Sequence, residues 1–174
     1  MAPRTELHVP GIGKIVGVQK RTRDRVLINV FRSIPYAKPP IGKLRFSLPQ
    51  AFEYGPETTL DFSKKESTKC KQLNPIFPSS RIVNWFWNLK TSEDCLYLNV
   101  YTPCFPNNEN PNELTMGDLP VLVWFHGGAF CIESNEMSMY GPGYLLDHDV
   151  ILVGVNYRLG PFGFFNLECE EAPG

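Results

Sequence analysis

The sequence predicts an α/β domain in which an antiparallel N-terminal hairpin leads into a central, mostly parallel sheet. Three observations carry that reading. Residues 96–101 (LYLNVY), 121–125 (VLVWF) and 150–155 (VILVGV) are short, strand-like runs, and the last two are nearly unbroken apolar stretches of the kind found in strands covered on both faces. Between those two, the segment 141–149 (GPGYLLDHD) can form a short helix with Pro142 in its first turn, so strand, crossover and strand make a right-handed parallel unit. Finally, 14 Gly and 16 Pro make up about 17% of the 174 residues, scattered without period, against roughly 12% in average usage. Such a chain is turn-rich and poorly suited to a helical bundle.

In chain order, residues 14–18 (KIVGV) and 26–34 (VLINVFRSI) form the hairpin, and the charged run 20–25 (KRTRDR) is its solvated turn. From 35 to 90, Pro39-Pro40, Pro49, Gly55-Pro56, Pro75 and Pro78 interrupt every helical pattern, leaving irregular chain that must lie on a scaffold supplied by other segments. The polar stretch PNNENPNELTMGD between the first two strands of the last zone is a loop. The strands at 121–125 and 150–155 are expected to be buried neighbours. If the sheet continues no further than these strands, faces that include Val121, Val123, Ile151 and Val153 are expected to be partly uncovered and the edge open to pairing.

Several functions are disfavoured by composition. With 17 Lys and Arg against 18 Asp and Glu the net charge is -1, so no broad positive field exists to hold nucleic acid or an anionic membrane. No apolar run approaches the roughly 20 residues of a membrane span. The polar start, MAPRTELHV, lacks the apolar stretch of a secretory signal, and no Asn-x-Ser/Thr site occurs. The compartment stays open, with the cytoplasm favoured over secretion. The five cysteines, Cys70, Cys95, Cys104, Cys131 and Cys169, match no zinc spacing, and neither a metal nor a cofactor is expected.

The chemically informative stretch is His126-Gly127-Gly128-Ala129-Phe130, directly after the apolar strand 121–125. Two glycines at the carboxyl end of a central strand allow a sharp turn and leave N–H groups facing the crevice where open α/β sheets bind ligands. A plain tight turn is the alternative. The wider context favours an anion site: the chain also carries Ser92-Glu93-Asp94-Cys95-Leu96-Tyr97-Leu98-Asn99-Val100, Asn156-Tyr157-Arg158-Leu159-Gly160 followed by Gly163-Phe164, Ile34-Pro35-Tyr36-Ala37, and Pro39-Pro40-Ile41-Gly42-Lys43-Leu44-Arg45-Phe46. In this order and approximate spacing, from about residue 13 to 174, these motifs resemble the type B carboxylesterase and cholinesterase family, most closely its insect esterases.

The resemblance implies the N-terminal part of an α/β-hydrolase fold and a serine esterase acting on small-molecule carboxylic esters. It places Gly128 and Ala129 as backbone oxyanion donors, with Gly127 as the hinge. Ala129 stands where many members have Gly, which a backbone donor tolerates. His126 precedes the donor loop, which is not where the family keeps its base, so its expected role is structural; His8 and His148 receive the same reading. The family's first disulfide maps onto Cys70 and Cys95, leaving Cys104, Cys131 and Cys169 unpaired, and its structural ion pair maps onto Arg45 and Glu93. Trp85 stands where cholinesterases place an aromatic for a quaternary ammonium, but with Phe86 and Trp87 crowding the same spot the favoured reading is a packed cluster.

One part is missing. None of the nine serines lies in a Gly-x-Ser-x-Gly elbow, and in the family the nucleophile, acid and base follow the Asn-Tyr-Arg stretch. Residues 1–174 are therefore expected to be an incomplete carboxylesterase domain, inactive by itself. The alternative is membership of the catalytically dead, adhesive branch of the same family. The retained oxyanion loop favours the enzyme.

Overall fold

A computed structural model describes residues 2–55, 59–63, 68–72, 91–103, 119–169 and 172–173. Its strands are β1 (Arg4–Val9), β2 (Gly13–Arg21), β3 (Leu27–Pro35), β4 (Thr59–Asp61), β5 (Lys69–Cys70), β6 (Thr91–Ser92), β7 (Tyr97–Pro103), β8 (Val121–Phe125), β9 (Ile151–Val155), β10 (Asn166–Cys169) and β11 (Ala172–Pro173). The main sheet runs β1-β2-β3-β7-β9-β8, with β4 added alongside β2. Pairing is antiparallel from β1 through to β9, and it turns parallel where β8 joins β9 and where β4 joins β2.

β2 and β3 form the hairpin expected from their β-branched content, in register Val18↔Val30 to Arg21↔Leu27. Its turn closes with the Thr22 N–H donating to the Val26 carbonyl at 2.9 Å and the Val26 N–H donating to Thr22 Oγ1 at 3.1 Å. The charged turn is solvated, with Arg21, Arg23, Asp24 and Arg25 exposed, and Arg23 lies 4.9 Å over the Tyr144 ring and pairs with Asp24 and Asp147. Gly17 is required in β2: a Cβ there would stand 2.6 Å from the Val30 carbonyl oxygen.

β1 is a strand that the polar opening of the sequence concealed. Thr5, Leu7 and Val9 alternate with exposed Arg4, Glu6 and His8, the period-two pattern of a half-buried strand. Glu6 pairs with Lys14 of β2 across this edge.

β3 carries the core on both faces. Ile28 and Val30 join Tyr101, Leu146 and Leu152 on one side, while Phe31 packs with Ile15 and Phe62 on the other. A third cluster gathers Ala37, Cys70, Cys95, Leu96 and Leu159 where the irregular segment meets the sheet.

Two expectations need correction. Residues 121–125 are not buried on both faces: β8 is the outermost strand of the described sheet, and Val121, Val123 and Phe125 are 58%, 50% and 61% exposed. The apolar run records that the strand is built to be covered, and among the described residues only Trp124, packed against Tyr140 and the Leu152 cluster, is partly covered. The partly uncovered faces expected from the same run are present, with Ile151 and Val153 half-buried. Second, the helix expected over 141–149 is reduced to a 3₁₀ turn, and the α-helical turn of this crossover lies just before it. A one-turn helix α1 (Met137–Tyr140) precedes Gly141, and a 3₁₀ turn spans Leu145–Asp147. Helix α2 (Pro161–Phe164) follows β9, with Pro161 in its first turn. No helix of the described residues is long and apolar enough to cross a membrane.

Candidate functional site

The loop after β8 reverses the chain through consecutive left-handed residues: Gly128 at φ 105°, Ala129 at 51° and Phe130 at 59°. Left-handed backbone costs a non-glycine residue about 1–2 kcal/mol, so Ala129 and Phe130 hold this shape only because their surroundings enforce it. The turn begins at Gly128 rather than Gly127, whose φ is not positive. Gly128 has no substitute, since a Cβ would lie 2.2 Å from the Ile132 carbonyl oxygen.

The loop is fastened through its carbonyls. Gly128 O accepts from the N–H groups of Cys131 and Ile132 at 3.0 and 3.1 Å, and Phe130 O accepts from Gly160 N–H at 2.7 Å. By contrast, the N–H groups of Gly127, Gly128, Ala129 and Phe130 donate to no acceptor among the described residues. Undonated N–H groups at the carboxyl end of a strand have the chemistry to hold a negatively charged oxygen.

Around it stands an aromatic wall. His126 stacks on Tyr157 with centroids 4.5 Å apart, and Phe125 and Phe130 meet the edge or face of the same Tyr157 ring. Phe130 also packs edge-to-face with Phe164 at 5.3 Å. Beyond Phe130, a shallow recess of about 450 Å³ is lined by Cys131, Gly160, Pro161, Phe164 and Phe165. His126 is buried, and that burial pushes its imidazole below the ordinary value of 6.5, so the ring is held neutral.

Three asparagines that the sequence reading passed over hold the scaffold beneath this loop. Asn156, just after β9, accepts from the Asn135 N–H at 2.7 Å and donates to Thr68 O at 3.2 Å. The Asn135 amide donates to Gly154 O at 2.9 Å, while Asn99 on β7 donates to Asn135 O and accepts from Ser33 N–H. All three are buried. A buried amide left unsatisfied costs about 1–3 kcal/mol, and here each one joins a different strand or loop. The signal was an asparagine inside the apolar runs LYLNVY and VILVGVN, where a polar side chain has to be satisfied internally.

Gln72 adds a second fastening. Its amide oxygen accepts from Glu133 N–H at 2.8 Å and its nitrogen donates to Glu133 O at 2.9 Å, imitating a strand pairing. It lies two residues past Cys70, which is disulfide-bonded to Cys95 with Cα atoms 5.0 Å apart. A 25-residue loop closed in this way stabilises by about 3.5 kcal/mol in a chain-entropy account. Cys131 and Cys169 are free and exposed. Cys104, and the Trp85, Phe86 and Trp87 cluster, lie outside the described residues.

Arg45 and Glu93 meet in a two-pronged ion pair, Nε to Oε2 at 2.5 Å and a terminal nitrogen to Oε1 at 3.0 Å. Arg158 extends this tie by donating to Arg45 O and Ser47 O at 2.9 and 3.0 Å. Thus the irregular segment is bound to the chain that follows β9. His8 lies exposed on β1 and His148 caps the 3₁₀ turn, both away from the loop. No cluster of residues able to hold a metal occurs among the described residues.

Comparison with known proteins agrees with this geometry. The carboxylesterase family model matches residues 3–174. The chain is 37% identical over 165 residues to a juvenile hormone esterase of Tribolium castaneum, covering 93% of this chain and 25% of that protein. It is 38% identical over 169 residues to an acetylcholinesterase of Danio rerio, covering 94% and 25%, and 39% identical over 171 residues to carboxylesterase 5A of Mus musculus, covering 94% and 27%. Among solved structures, juvenile hormone esterase from Manduca sexta, with OTFP covalently attached, superposes with a TM-score of 0.77 at 31% identity, covering 98% of this chain and 29% of that one. The fold is that of the N-terminal part of an α/β-hydrolase. The chain spans about a quarter of the length of the curated relatives it matches.

Proposed function

From the premise that this chain belongs to the carboxylesterase family, we propose that it supplies the oxyanion-binding part of a serine esterase that hydrolyses small carboxylic esters. The observation that carries the proposal is the run of undonated N–H groups at Gly128 and Ala129, held rigid at the carboxyl end of β8. In this reading a serine oxygen attacks the ester carbonyl, the carbonyl oxygen becomes an anion, and Gly128 and Ala129 donate to it. Because the donors are positioned before the charge develops, each stabilises the tetrahedral intermediate by about 3–4 kcal/mol. Collapse expels the alcohol and leaves an acyl-serine, which water then cleaves.

In this reading residues 1–174 do not supply the nucleophile, as they hold no Gly-x-Ser-x-Gly elbow, and the family's base and orienting acid go with that elbow. The loop alone positions and polarises, so the 174-residue chain is expected to show no turnover. The tests are hydrolysis of a short-chain p-nitrophenyl ester and stoichiometric labelling by an organophosphate. A full-length polypeptide carrying this segment should do both at a serine outside 1–174, while the chain by itself should match a heat-treated control. One-to-one labelling of any of its nine serines, or a full-length polypeptide that is never labelled, would overturn the reading.

A further inference from the structure

Among the described residues the imidazole of His126 takes part in one hydrogen bond. Its Nδ1 lies 2.8 Å from Gly127 O. A carbonyl only accepts, so Nδ1 must carry the proton, and the neutral ring then leaves Nε2 as a bare acceptor. Nε2 is buried with no partner among the described residues, in a side chain that is 2% exposed. The contact at Nδ1 therefore assigns the less common tautomer, and Nε2 is left without a partner among the described residues.

Gly127 O and Gly128 N–H belong to one peptide unit. No cis peptide occurs among the described residues, and in a trans peptide the carbonyl and the N–H point in opposite directions. Drawing Gly127 O toward the imidazole turns the Gly128 N–H away from it. The ring in turn cannot rotate freely, because it is stacked on Tyr157 at 4.5 Å with planes 20° apart, and Tyr157 Oη donates to His126's own carbonyl at 2.7 Å. Ring, hydroxyl and peptide make a closed set of contacts about the first residues of the loop.

We infer that His126 is a positioning residue for the oxyanion donors, its Nδ1–H fixing the Gly127–Gly128 peptide plane so that the Gly128 N–H is aimed before any charge develops. The inference rests on the esterase reading above for its consequence, though not for its geometry. A peptide between two glycines has little of its own to hold its orientation, and a donor that must reorient during the reaction loses the advantage of preorganisation. His126 touches no reacting atom in this scheme and acts through the backbone.

The first test uses the chain with ¹⁵N-labelled histidine. At neutral pH, NMR should show His126 as the Nδ1–H tautomer, with exposed His8 and His148 as internal references. An Nε2–H tautomer or a charged ring overturns the inference outright. The second test uses the full-length polypeptide. His126→Phe keeps a flat ring but no donor, and should lower kcat about 100-fold with KM nearly unchanged, within the range seen when an oxyanion donor is lost. His126→Asn, whose amide nitrogen can stand where Nδ1 stood, should recover kcat to within about tenfold of the original. Equal losses in the two variants, or no loss in His126→Phe, would refute positioning. Should His126→Phe fail to fold, the tautomer and the Asn variant decide the matter.

A trifluoromethyl ketone separates the two proposals, because its adduct with serine carries the oxyanion. An original protein that binds it no more tightly than the unfluorinated ketone sinks the oxyanion reading of the loop, whatever the tautomer. Tight binding that His126→Phe leaves untouched sinks only the role of His126.

Discussion

Leu122 and Leu152 face each other across the β8–β9 ladder, yet they live in different surroundings. Leu152 is 4% exposed and Leu122 is 45% exposed. The two strands have comparable apolar sequences and run parallel to one another. What separates them is place in the sheet: β9 lies between β7 and β8, with Tyr101, Val30 and Leu146 packed on its Leu152 face, whereas β8 is outermost among the described strands. Beyond its end β9 runs into Asn156, which ties it to three other segments through Asn135, Thr68 and the Tyr36 hydroxyl. Apolar sequence thus states a strand's demand for cover, and topology decides whether the demand is met.

The largest effect expected from this contrast is at Leu152. Leu152→Ala should destabilise the chain by about 3 kcal/mol, the usual cost of a fully packed leucine, read as a lower denaturation midpoint with unchanged slope. Next comes the polar side of the same strand. Asn156→Ala leaves the Asn135 N–H and the Thr68 carbonyl without their partners, and should cost about 2–3 kcal/mol. A change below 1 kcal/mol would mean that water replaces the network easily. The smallest effects belong to β8, where Leu122→Ala should cost under about 1 kcal/mol and Val123→Lys should leave stability within about 0.5 kcal/mol. Val123→Lys should nevertheless raise the concentration at which the chain aggregates, measured by light scattering, because a lysine on an open edge strand discourages further pairing. If Leu122→Ala and Leu152→Ala cost the same, β8 is covered in solution and the contrast fails.

Legibility in the sequence followed the same line. The β2–β3 hairpin, β7, β8 and β9 were readable because period and β-branching are local properties of a strand. The outermost position of β8 was not, since an apolar run records its demand for cover and carries no address. β1 escaped notice because its alternation rests on Thr5, Leu7 and Val9 among charged neighbours, so its inward face is modest. Gly127 and Gly128 made the turn at the candidate site visible, although the reversal falls one residue later than the first glycine suggests and extends through Ala129 and Phe130. The asparagine framework was hidden for a different reason. Asn99, Asn135 and Asn156 are far apart in sequence, and a hydrogen bond between distant amides leaves no periodic trace. The pairing of Cys70 with Cys95 and of Arg45 with Glu93 came from family resemblance, as no spacing rule selects those partners.

The same disulfide bears on the order in which the chain assembles. Strands β1 to β3 form a local meander, but β3 must find β7 across a long excursion, with Val30 opposite Tyr101, 71 positions on. A bond between Cys70 and Cys95 excises 25 positions from that path. Because closure entropy grows only with the logarithm of loop length, shortening the path by about a third eases the search by about 0.4 kcal/mol. That changes the closing rate by about twofold at most. Oxidation before β3 meets β7 would therefore hasten collapse very little, and a chain whose cysteines are still reduced should reach the same sheet register at nearly the same speed. The crosslink belongs to the keeping of the fold rather than to its finding.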